Sequence, residues 1–130
     1  MGHIYVEDLF YNPSDYVEYV QGKRKLEDVK KFKCRALVDT GATFPALPEN
    51  VVKDIDLPFI GEYKAEVAEG IANLKQAYVV AQINGKVAVS NLIIRPEGTT
   101  PLIGVVTLEQ MGYKVDLTTG KLVEGLPLLL

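Results

Sequence analysis

The sequence predicts a mostly β fold with one or two short helices. Three observations carry that expectation: apolar and polar residues alternate over short runs, Gly, Pro and Asn-Gly punctuation recurs between those runs, and few stretches space their apolar residues as a helix does. The chain has 130 residues, 48% of them hydrophobic and 24% charged, enough for one packed core. One domain over residues 1–130 is expected, without repeats or internal linkers.

Residues 3–10 read as a first strand, stopped by Asn12-Pro13. Residues 14–31 mix the near-helical spacing of Tyr16, Val17, Tyr19 and Val20 with Gly22 and a charged run, and are expected to form an insertion or surface excursion. Residues 32–39 are a clear strand. Phe32, Cys34, Ala36 and Val38 share one face and Lys33 and Arg35 the other. Cys34 is then a small core residue rather than a nucleophile. The strand ends at Asp39-Thr40-Gly41, where glycine permits a sharp turn. Pro48 fits the first turn of a short helix through Val51, Val52 and Ile55 that ends before Pro58.

An alternating run follows, with Tyr63, Ala65 and Val67 on one face and Glu62, Lys64 and Glu66 on the other. Ala68-Glu69-Gly70 is its turn, and residues 74–83 form the return strand. Asn84-Gly85 signals a two-residue hairpin into residues 87–94, closed by Pro96-Glu97-Gly98. Leu102-Ile103-Gly104 is a short apolar strand, residues 105–111 a helix stopped by Gly112, and residues 113–117 and 121–123 a last hairpin around Thr118-Thr119-Gly120.

Composition excludes several function classes. The net charge is −3, and the basic cluster of Lys23, Arg24, Lys25, Lys30, Lys31, Lys33 and Arg35 is interleaved with Glu27 and Asp28, which reads as a solvated face rather than a nucleic-acid footprint. One cysteine and one histidine (Cys34 and His3) build neither a disulfide nor a metal cluster, so no metal or cofactor is expected. His3 is expected to be structural or exposed. A reducing, cytoplasmic setting is the expectation, with no signal segment and no membrane-spanning stretch. The apolar tail of residues 126–130 is too short to be a membrane anchor and calls for burial, on this chain or on a partner.

The chemistry concentrates in Ala36-Leu37-Val38-Asp39-Thr40-Gly41-Ala42. Chance alone gives an Asp-Thr-Gly triplet in roughly 2–3% of chains this long, so the surroundings decide. An apolar strand carries the Asp to the mouth of a turn, and a second apolar strand ending in glycine lies downstream and leads into a helix. These segments resemble the retropepsin-like aspartic proteases, most closely the single-domain prokaryotic members. That family has an apolar-apolar-Asp-Thr/Ser-Gly-Ala motif, then a flap hairpin, then an apolar-apolar-Gly motif that begins a helix. Residues 36–42 match the first, residues 63–78 stand where the flap lies, and Ile103-Gly104 with the following helix matches the last. Thr43, Pro48 and the helix after it follow the prokaryotic order.

The resemblance implies a closed β-barrel with a flap, acting as a homodimer on peptide or unfolded protein. Asp39 would be the catalytic carboxylate, Thr40 would bond across the dimer axis, and Gly41 would shape the turn and turn its N–H toward the carboxylate. Ala42, Thr43, Ala68, Glu69, Gly70, Ile71 and Ile103 would meet the substrate. Viral members carry Asp where Thr43 stands and Arg where Val105 stands, so their specificity and interface details do not transfer.

Physics gives the reason for two chains. Peptide hydrolysis by carboxylates needs a base for water and an acid for the leaving amine, and two carboxyls that share a proton fill both roles. One motif per chain leaves the second carboxylate to a two-fold axis. Ala42 offers the carboxylate no side-chain donor, so activity is expected at mildly acidic to near-neutral pH. Two other functions fit the same residues: a non-catalytic dimeric module that binds peptides in the cleft, and a monomeric β-barrel for a hydrophobic ligand with Asp39-Thr40-Gly41 as a plain turn.

Overall fold

The computed structural model describes residues 4–125, so His3 and the apolar tail of residues 126–130 lie outside the described residues. The fold is mostly β. Its strands are β1 (Tyr5–Tyr11), β2 (Lys31–Asp39), β3 (Ala46–Pro48), β4 (Phe59–Val67), β5 (Gly70–Ile83), β6 (Lys86–Arg95), β7 (Leu102–Gly104), β8 (Tyr113–Asp116) and β9 (Lys121–Glu124). Three short α-helices interrupt them, where the sequence predicts one or two: α1 (Pro13–Val20), α2 (Glu49–Asp54) and α3 (Val105–Gln110), with a single 3-10 turn at Leu26–Asp28.

Seven strands form one sheet in the order β1-β2-β7-β3-β6-β5-β4. β1 also pairs with β5, through Leu9↔Gln82, Phe10↔Ala81 and Tyr11↔Val80, so six strands close into a hydrogen-bonded ring and β4 hangs from β5 at its edge. Most neighbours are antiparallel. The parallel pairs are β2 with β7 and β3 with β6. The expected two-residue turn at Asn84-Gly85 is present: Asn84 has φ 50° and Gly85 φ 81°, the left-handed conformations that such a hairpin needs.

Strand alternation fills the ring. Phe10, Ala36, Ala77, Val79, Ala81, Leu92 and Ile103 are fully enclosed, with Leu108 of α3 packed among them. Each large side chain of this kind contributes roughly 1.5–3 kcal/mol by leaving water. Cys34 is half-buried and packs against this core, as its phase in β2 requires. The β8–β9 hairpin sends Tyr113, Val115 and Leu122 to the same cluster.

Three local structures differ from the sequence expectation. Asn12-Pro13 ends β1, but it also starts α1. The Asn12 side chain accepts the Asp15 N–H at 3.0 Å, and Pro13 occupies the first turn, where a missing N–H costs nothing. The segment expected as an insertion or surface excursion is tied back to the body: buried Asp15 accepts the Lys30 N–H at 3.0 Å and the Lys30 ammonium at 3.1 Å, with Arg24 at 3.6 Å. Pro48 precedes α2 as its N-cap instead of sitting inside its first turn, and it closes a three-residue strand, β3, that shows no alternation because all three residues are buried. Among the described residues, no helix is long and apolar enough to cross a membrane.

Candidate active site

Asp39 is the last residue of β2 and is half-buried. Pairing with β7 fixes its position: Leu37, Val38 and Asp39 run parallel to Leu102, Ile103 and Gly104. Beyond Asp39 the chain turns sharply. The Ala42 N–H donates to the Asp39 carbonyl at 3.1 Å, and the Gly41 N–H donates to the Asp39 carboxylate Oδ1 at 2.9 Å. That main-chain donor fixes the orientation of the carboxylate without any side chain.

Gly41 keeps a negative φ, so its place in the turn does not depend on left-handed backbone. An added Cβ would meet Asp39 Oδ1 at 3.4 Å, an ordinary contact. The glycine that space demands is Gly104. A Cβ there would lie 2.6 Å from the Thr43 carbonyl oxygen and 2.8 Å from that of Ala42. The segment after the Asp39 turn therefore crosses directly over the end of β7. The Val105 N–H seals the crossing by donating to the Ala42 carbonyl at 3.2 Å.

Asp39 opens onto a cleft of about 1000 Å³. Gly41, Ala42, Thr43 and Phe44 form one wall, and the β4–β5 hairpin presents Tyr63, Ala65, Val67, Ala72 and Leu74 opposite. Tyr63↔Leu74 and Ala65↔Ala72 are cross-strand partners, so this hairpin surface is apolar, with small residues at its middle. The hairpin reverses at Ala68 and Glu69, with Val67 facing Gly70. Acidic Glu49, Glu66 and Glu69 and basic Lys75 and Arg95 also line it.

Of the residues the sequence singled out, Asp39, Gly41, Ala42, Thr43, Ala68 and Glu69 meet around this cleft. Thr40 is exposed beside it. Gly70 and Ile71 do not line it; Ile71 is 73% exposed and alternates with the inward-facing Ala72. Ile103 is fully enclosed in the core, where it backs the strand that carries Asp39 instead of meeting a ligand. Tyr63, Phe44 and Leu74 were not singled out as contacts. For Tyr63 the signal is the alternation of residues 63–67, which marks a face but not what the face looks onto; Phe44 and Leu74 lie outside that run and carry no comparable signal. Among the described residues, no group of three or more His, Cys, Asp or Glu is placed to hold a metal ion.

Compared with protein-family models and with curated proteins, the chain matches none. Its chemistry is therefore read from the cleft and the carboxylate within it.

Proposed function

We propose that the protein is an aspartic endopeptidase of retropepsin-like type, in which two identical chains each supply one Asp39. The observation that carries this is the Asp39 carboxylate, fixed by the Gly41 N–H at 2.9 Å at the wall of a cleft of about 1000 Å³ whose other side is the β4–β5 hairpin. The ring of strands serves as the barrel of that fold, and the β4–β5 hairpin serves as its flap.

In this mechanism the two carboxylates meet on the two-fold axis and share one proton, because like charges a hydrogen bond apart resist ionising together. The ionised Asp39 takes a proton from water, whose oxygen attacks the scissile carbonyl. The protonated Asp39 gives its proton to the carbonyl oxygen. Collapse of the tetrahedral intermediate breaks the C–N bond as the amine is protonated. Thr40, exposed beside the turn, is available to bond across the axis. The hairpin excludes water from the reacting bond when it closes.

Incubation of the protein with an unfolded protein substrate from pH 3 to 8 tests this. Cleavage is expected in wild type, sensitive to a pepstatin-type inhibitor, and reduced at least about 100-fold in Asp39→Asn. Equal cleavage by wild type and variant would refute the role of Asp39. A second reading, a dimeric module that only binds peptides, is favoured by the edge position of β4, whose outer backbone groups are open to an added strand. Capture of peptide without cleavage at every pH would select it.

A further inference from the structure

Asp8 takes no part in the chemistry proposed above. It lies on β1 in phase with the core residue Phe10, is only 2% exposed, and neither of its carboxylate oxygens has a hydrogen-bond partner. Its position matters as much as its burial. β1 pairs with β2 along seven residues, with Asp8 opposite Cys34, but with β5 along only three, beginning at Leu9↔Gln82. Asp8 is thus the first residue beyond the short seam that closes the ring. A recess of about 240 Å³ opens at that point, lined by Glu7, Asp8, Leu9, Lys33, Gln82 and Asn84.

We infer that Asp8 is a titratable latch on the ring: its carboxyl keeps β1 seated against β5 while it holds its proton, and losing that proton parts the two strands at the seam. Among the described residues, nothing nearby balances an anion there. On β1 itself, Glu7 carries the same sign. From β2, Cys34 presents a neutral thiol, pushed up to about 12 by burial and then by the charges of Asp8 and Glu7. Lys33 lines the recess but makes no ion pair with Asp8. From β5, Gln82 is neutral, and its side-chain oxygen is already taken by the Tyr11 hydroxyl at 2.8 Å. From β8, the Tyr113 hydroxyl donates to the Ile83 carbonyl at 3.3 Å, and Lys86 of β6 lies over the Tyr113 ring, 4.6 Å from its centre.

Burial pushes the Asp8 carboxyl up to about 8, while the main-chain amides of Gln82 and Leu9 pull the other way without forming a proper hydrogen bond. The sign follows. Between the unfolded value of 3.8 and about 8, the closed ring keeps the proton and an opened one releases it, so opening becomes easier as pH rises and levels off above about 8. β1 also shoulders the strand that ends in Asp39, since the Ile4 carbonyl accepts the Val38 N–H at 2.8 Å.

Hydrogen exchange from pH 5 to 9, expressed as protection after correction for the intrinsic pH dependence, tests the latch. Protection of residues 5–11 and 80–83 in wild type is expected to fall about tenfold per pH unit up to pH 8 and then level. In Asp8→Asn it is expected to be independent of pH. A flat wild-type profile, or an equal slope in the variant, would overturn the proposal. If Asp8→Asn does not fold, the carboxyl carbon of Asp8 in wild type is titrated by NMR. A midpoint near 8 that coincides with the levelling supports the latch, and one near 4 overturns it.

Discussion

At the scale of single residues, two glycines near Asp39 do different work. Gly41 is valued for its N–H, which any non-proline residue also carries. Gly104 is valued for the absence of a side chain, because two main-chain carbonyls occupy the space a methyl group would need. Main chain cannot swing aside as a flexible side chain can. Gly104→Ala is therefore expected to cost about 1–3 kcal/mol, the range for forcing an extra methyl group into a packed site. A thermal melt would show a midpoint several degrees lower, and the proposed peptidase activity should fall further than stability explains, since Gly104 is the register partner of Asp39. A Gly104→Ala variant that melts with wild type would mean that the crossing over β7 is looser than these distances. The sequence made Asp39 and its turn legible because a short motif fixes a short turn. It held no sign of the crowding at Gly104, which arises between segments far apart along the chain.

At the scale of elements, the segment between β1 and β2 rests on two side chains. Asn12 caps α1, and its amide nitrogen also donates to the Ile55 and Asp56 carbonyls at 3.0 and 2.7 Å, tying α1 to the end of α2. Removing them in Asn12→Ala is expected to destabilise the protein by about 1–3 kcal/mol, combining a lost cap with carbonyls left unpaired; chemical denaturation would measure it. Asp15 anchors the return. Burial raises its carboxyl, but the Lys30 amide and ammonium and the Arg24 guanidinium outweigh that and hold it below the usual range. Its stabilising effect is thus present above about pH 4 and lost as pH falls through the lowered value. Exchange protection of residues 12–30 should hold at pH 5 and fail in stronger acid, and in Asp15→Asn it should already be weak at neutral pH. The sequence showed α1 only as ambiguous spacing. Asn-Pro signals a stop in the sequence because both residues end strands, and the same pair starts a helix once the chain beyond can reach a buried anchor.

At the scale of the whole molecule, the hairpins follow from period and turn residues visible along the chain, whereas the parallel pairs β2–β7 and β3–β6 do not, since β3 carries no alternation and its partners lie far along the sequence. Closure of the ring through β1 and β5 was not visible, nor was the lone acid at that seam, because both depend on which strands become neighbours in space. The proposed chemistry makes its own demand at this scale. A chain of 14.3 kDa should measure at twice that mass by light scattering, and Asp39→Asn should keep that mass while losing activity. A wild-type monomer at working concentration would leave one carboxylate where two are needed.

The ring is closed by the strand nearest the start of the sequence. The Tyr11 hydroxyl and its acceptor on Gln82 are 71 residues apart. During synthesis β1 leaves the ribosome before its β5 partner, which emerges only after β2, β3 and β4 have been made. Until then a strand rich in apolar residues waits with one edge unsatisfied, and contacts between such distant residues are slow to form. The nascent protein should therefore depend on being kept apart from its own copies, and folding yield rather than final stability would be the first property to suffer when expression outpaces that protection.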